Sequence, residues 1–135
     1  MSAATRRVEL CGLVAHLNQR LDAHIRRVAD GLGITSSQAI ALRELSEPMT
    51  LSELAERMSC EASNASYVID RMERQGLVQR RPHPTDRRAK RLVLTAGGES
   101  CRGNVLTALA QDSPVESLTA AEQTTLAKLL RKAAD

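Results

Sequence analysis

Tyr67 is the only aromatic residue of the chain, and Phe and Trp are absent altogether. A core built from such a sequence has to be aliphatic. Leu, Ile, Val, Met and Ala suit helix packed on helix, and a chain of 135 residues can bury roughly two-thirds of its unfolded surface in one domain, with or without helical extensions. No apolar run approaches the roughly 20 residues of a membrane span. The N-terminal stretch MSAATRRVEL lacks the apolar segment of a secretory signal, so the chain is expected to stay in the cytoplasm. Cys11, Cys60 and Cys101 are odd in number and show no Cys-x-x-Cys spacing, which argues against both a disulfide framework and a zinc ribbon.

Charge is unevenly distributed. Between Arg71 and Arg91 stand eight basic side chains and two acidic ones, a net +6, while the whole chain carries only +3, so the remainder is −3. A basic block inside an otherwise acidic chain is the footprint of a phosphate-binding surface. A solvated charged face is the plainer alternative if charge is considered alone.

Apolar periodicity places the elements. Leu10, Val14, Leu17, Leu21, Ile25 and Val28 recur in steps of three and four, one stripe of a long helix that needs a surface to pack on. Thr35 with Gln38, Thr50 with Glu53, and Thr119 with Glu122 fit the reciprocal capping box, and Thr95 can cap a further helix through its hydroxyl. Pro48 and Pro114 punctuate helix ends. The spacing therefore predicts helices over about 5–30, 36–46, 51–58, 61–75, 96–112 and 120–133. In the helix 61–75, Ala65, Val68, Ile69 and Met72 form the buried stripe, while Ser63, Ser66, Tyr67, Asp70 and Arg74 occupy the other face, flanked by Asn64 and Arg71. Asp70 is expected to pair with Arg74 one turn on. Gly76 can take the left-handed conformation of a Schellman cap, with Leu77 against Met72. Leu77–Pro82 and Lys90–Leu94 then read as strands around the polar loop HPTDRRA. The fold class is mainly α with a small β-hairpin wing.

The stretch LSELAERMSCEASNASYVIDRMERQGLVQRRPHPTDRRAKRLVLT, residues 51–95, resembles the MarR-family winged helix-turn-helix. Its most specific parts are LSELAERM at 51–58, RMERQGLVQRR at 71–81 and DRRAKRLVLT at 86–95, in that order and spacing. The resemblance implies a homodimeric transcriptional regulator with three parts: an N-terminal dimerisation helix in 1–34, a winged helix-turn-helix in 35–95 and C-terminal dimerisation helices in 96–135. It also implies that helix 61–75 enters the major groove of double-stranded DNA and that the loop 83–89 reaches the adjacent minor groove. Small hydroxyl and amide side chains at a helix start can approach base edges and phosphates closely. The expected DNA-binding residues are Ser63, Asn64, Ser66, Tyr67, Arg71, Arg74, Arg81, Asp86, Arg87, Arg88 and Lys90. Of these, Asp86 holds the wing loop or orients an arginine, and Arg88 inserts into the minor groove. Arg80 and Arg81 point to opposite faces of their strand, so one of them is structural. Cys60 stands where the family carries a buried aliphatic residue.

Members of the family are often released from DNA by a small molecule, commonly an aromatic acid. With no Phe or Trp the usual stacking partners are missing, and His16, Arg20 and His24 remain as candidate effector residues. Cys11 in the first helix is a candidate redox sensor, although the chain lacks the polar neighbours that lower a thiol pKa. His16, His24, Cys101 and Glu99 show no close metal-ligand spacing, so neither metal nor cofactor is expected. A protein-docking winged helix would expose aromatic or aliphatic anchors rather than a basic block. An enzyme would need a phosphate loop or a nucleophile, base and orienter set, and neither is present.

Overall fold

The computed structural model describes residues 1–135. In chain order it contains α1 (Ala3–Leu32), α2 (Ser36–Glu44), α3 (Leu51–Met58), α4 (Ala62–Arg74), β1 (Val78–Pro82), β2 (Lys90–Leu94), α5 (Ala96–Ala110) and α6 (Ala120–Ala134). Every expected helix is present. The chain divides into two compact units, one of Ile25–Ala110 and one of Met1–His24 with Gln111–Asp135.

The unit Ile25–Ala110 has an aliphatic core. Leu42 of α2, Leu54 of α3, Ile69 and Met72 of α4, Val78 of β1, Leu92 of β2 and Val105 of α5 are all buried in it. Ile25 and Ala29 join them from α1. Ile25, the fifth residue of the stripe expected on the long first helix, therefore belongs to this core, because the last turns of α1 cluster with this unit.

Caps fix where the helices begin and end. The Thr35 hydroxyl accepts from the Gln38 N–H at 3.1 Å, and Gln38 Oε1 accepts from the Thr35 N–H at 3.1 Å, closing the box ahead of α2. Gln38 is 2% exposed, and its Nε2 also donates to Gln75 Oε1 at 2.8 Å, tying the start of α2 to the end of α4. Thr50 accepts from the Glu53 N–H at 3.2 Å, but only this half of its expected box forms. Glu53 is exposed, so water can satisfy its carboxylate. Ser59 turns the chain between α3 and α4 in the left-handed conformation, at φ 56°.

Gly76, at φ +77°, ends α4 in the expected Schellman motif. Leu77 N–H donates to Met72 O at 2.9 Å and Gly76 N–H to Glu73 O at 3.0 Å, the two bonds that satisfy the last carbonyls. The hairpin pairs Val78 with Leu94 through to Pro82 with Lys90. Met49 adds a one-residue third strand, exchanging hydrogen bonds of 3.3 and 2.7 Å with Leu92. Sequence periodicity gave no sign of this bridge, since a single residue has no period. At the base of the hairpin Thr95 Oγ1 donates to Gly76 O at 2.6 Å and accepts from the Gly98 N–H at 3.0 Å, so one hydroxyl joins the end of α4 to the start of α5. Any side-chain carbon at position 98 would overlap the Leu77 carbonyl.

In the other unit His24 is the only buried residue. Val8, Leu10, Leu13 and Val14 of α1 and Leu129 and Leu130 of α6 are exposed. Thr119 and Glu122 form a complete capping box ahead of α6. Gln123 Nε2 donates to the carbonyls of Val115 and Leu118, at 3.2 and 3.0 Å, and folds the preceding link against α6. Leu118, Ala121, Leu126 and Leu129 line an open apolar groove of about 420 Å³.

Candidate nucleic-acid interface

The buried stripe of α4 runs through Ala65, Val68, Ile69 and Met72. Burying that stripe turns Ser63, Asn64, Tyr67, Arg71 and Arg74 outward, and all five are exposed; Ser66 is half-buried. Tyr67 is 70% exposed, an unusual place for the only aromatic ring of a protein unless something covers it. The N-cap Glu61 makes no side-chain hydrogen bond to the helix start. An uncapped helix N-terminus presents free N–H groups and the positive end of the helix dipole, which suits a phosphate.

The hairpin divides its charges between two faces. Arg80 shares the inward face with Val78 and lies against α4, where NH2 meets Asp70 Oδ1 at 2.8 Å and NH1 meets Glu73 Oε1 at 3.7 Å. Asp70 thus pairs with Arg80 and not with Arg74, because the strand brings a guanidinium to the helix that a one-turn neighbour does not have to supply. Arg80 is the structural member of the Arg80–Arg81 pair. Its two ion pairs neutralise Asp70 and Glu73 of α4, while Arg71 and Arg74 stay exposed.

Arg81 is exposed on the outward face, with NH2 on Gln79 Oε1 at 3.0 Å. Directly across the ladder stands Arg91, whose Nε is buried without a hydrogen-bond partner. Like charges opposite one another on a sheet repel, and an anion beside them reverses that cost. Arg91 was not among the residues expected from sequence. The only signal that could have found it was the register that sets it against Arg81.

The wing tip carries Asp86, Arg87 and Arg88, with Lys90 following at the start of β2, and all four are exposed. Asp86 Oδ1 accepts from the Arg88 N–H at 3.0 Å, so the carboxylate organises the backbone that presents Arg88. His83 also participates: its Nδ1 accepts from the N–H groups of Thr85 and Asp86 at 3.2 and 3.1 Å. Sequence reasoning missed His83, because histidine is not the usual residue for such a turn.

The remaining candidates are on α1 and beside the start of α4. His16, Arg20 and Cys11 are exposed on α1, and His24 is buried at 5% exposure. Cys60 is half-buried and lines a cavity of about 350 Å³ with Ser37, Ile40, Met58, Asn64, Tyr67 and Val68. No helix is long and apolar enough to cross a membrane.

Residues 34–90 match the model of the MarR family. The multiple antibiotic resistance protein MarR of Escherichia coli strain K12 is 31% identical over 131 residues, spanning 93% of this chain and 90% of that protein. The uncharacterised HTH-type transcriptional regulator YsmB of Bacillus subtilis is 36% identical over 84 residues, spanning 61% of this chain and 58% of that protein. Among solved structures, a cysteine-to-serine mutant of E. coli MarR complexed with operator DNA superimposes with a TM-score of 0.74 at 28% identity, covering 100% of both chains. The chain belongs to the MarR family of winged-helix transcriptional regulators.

Proposed function

We propose that this regulator is a ligand-responsive homodimeric repressor that binds a pseudo-palindromic operator. The observation that carries the reading is the outward face of α4, uncapped at its start and lined by Ser63, Asn64, Tyr67, Arg71 and Arg74, beside a wing that exposes Arg87, Arg88 and Lys90. The E. coli relative crystallised with operator DNA supports it. In this reading α4 lies in the major groove, where Asn64 pairs with adenine and Arg71 with guanine or phosphate. Arg88 enters the neighbouring minor groove, where a narrow A·T segment concentrates negative potential.

The second copy follows from the exposed apolar residues of α1 and α6, which in water would be left uncovered on a monomer. Leu10, Val14, Leu129 and Leu130 are the residues we assign to that contact. Two recognition helices held about 34–36 Å apart match successive turns of the major groove. Binding there obstructs polymerase, and an effector that changes the separation of the two helices releases the DNA. His16 and Arg20 on the surface of α1 are the side chains assigned to that effector, and the protein works in the cytoplasm.

Footprinting on the DNA upstream of the protein's own gene tests the proposal. Two protected half-sites centred about one helical turn apart are expected. A single half-site, or protection without a repeat, would refute the dimeric reading.

A further inference from the structure

The wing tip is held by two side-chain acceptors. One is Asp86. The other is His83, half-buried at the end of β1, whose Nδ1 faces the backbone N–H of Thr85 at 3.2 Å and of Asp86 at 3.1 Å, with the Thr85 hydroxyl at 3.3 Å. A backbone N–H can only donate, so Nδ1 must supply a lone pair and the ring proton sits on Nε2. A side chain that accepts from the amides two and three residues ahead does the work of an N-cap, for which Asp, Asn, Ser and Thr are the ordinary residues. Their oxygens keep their lone pairs across the neutral range. Imidazole does not: it changes charge between about pH 5 and 8, and the protonated ring has no acceptor left.

The loop transmits that loss. The His83 N–H donates to Ala89 O at 3.1 Å, the Ala89 N–H to Asp86 O at 3.2 Å, and the Arg88 N–H to Asp86 Oδ1 at 3.0 Å. His83 fixes the Asp86 amide, and Asp86 in turn fixes Arg88. The charged groups around it are Asp86, Arg87 and Arg88 in the loop, and Arg81, Lys90 and Arg91 on the strands, while Asp70 and Glu73 of α4 are engaged by Arg80. Cations dominate this surrounding.

We propose, on the DNA-binding role given above, that neutral His83 is a positioning residue for the wing: its Nδ1 closes the tip that presents Arg88, and protonation opens the tip and weakens DNA binding. Two effects of the proton oppose each other. It adds a positive charge near phosphate, which favours DNA, and it turns two backbone donors against a third. The second effect wins, because losing the Asp86 N–H contact frees the carboxylate that orders the Arg88 N–H.

His83→Asn places an oxygen where Nδ1 lies and does not titrate. Operator affinity is to be measured for the wild type and for His83→Asn at about pH 8 and about pH 5.5, beside the amide NMR shifts of Thr85 and Asp86 in the free protein. The wild type should lose about tenfold in affinity on acidification relative to His83→Asn, and the two amides should titrate in the wild type only. Identical pH profiles for the two proteins, tighter binding of the wild type at acid pH, or amides that do not titrate would each overturn the proposal. DNA binding absent from both proteins at every pH would instead refute the DNA-binding role, while the amide shifts still decide whether His83 closes the tip.

Discussion

The two compact units of this chain solve the problem of an aliphatic sequence differently. Ile25–Ala110 encloses its own core, and Leu42, Leu54, Ile69 and Met72 are fully buried there. The unit of Met1–His24 and Gln111–Asp135 buries only His24 and leaves Leu10, Val14, Leu129 and Leu130 in water. One unit is complete within a single chain. The other has apolar surface that another copy can cover. In the proposed function the contrast separates the part that reads DNA from the part that pairs the readers, and substitutions in each should fail in different ways.

The largest effect is expected in the incomplete unit. Leu129→Asp should leave the winged helix folded but yield a monomer by light scattering. Its operator affinity should fall by about a hundredfold or more, as the second half-site ceases to be an intramolecular partner. A dimer with wild-type affinity would erase the contrast. In the complete unit Met72→Ala should lower the unfolding free energy by about 2–5 kcal/mol in urea titrations, since the side chain is fully buried on the inward stripe of α4. A change well below 1 kcal/mol would mean that the core is looser than its burial implies.

Surface substitutions should be smaller and should leave folding untouched. Arg88→Ala should cost about 1–3 kcal/mol in binding and relax discrimination at flanking A·T positions, whereas Arg74→Ala should weaken all sequences alike. Equal losses on every duplex for both variants would remove the distinction between wing and helix. The smallest effect belongs to α6. The Glu122 carboxyl is held below the ordinary glutamate range first by the Thr119 N–H and then by the Thr119 hydroxyl. Because the folded value is the lower one, the contribution is present above the unfolded value and disappears as pH falls through the folded value. Glu122→Gln, which removes the titrating carboxyl, should flatten that acid limb of the stability curve, and an unchanged limb would show that the cap does not operate in solution.

Much of the fold was legible because the helices announce themselves locally: the Thr35 and Thr119 boxes, the Gly76 cap and the period of Ala65, Val68, Ile69 and Met72 each lie within a few residues of one another. What escaped was set by pairing across the chain. Asp70 meets Arg80 ten positions on because β1 folds back along α4, a partner that helix spacing alone replaces with Arg74. Met49 joins the hairpin through one bridge, and Arg91 faces Arg81 through strand register. His83 escaped for a chemical reason, since its role depends on a tautomer and not on residue type. Ile25 continues the stripe of α1 without interruption, so nothing local marks where one unit ends and the other begins.

A fluorescence-anisotropy titration against DNA from the protein's own upstream region, beside a scrambled duplex and at two salt concentrations, addresses the DNA-binding role most directly. The account predicts clear preference for the native duplex and a steep loss of affinity with salt, as phosphate-bound counterions are released. Absence of binding to either duplex at low salt would contradict it.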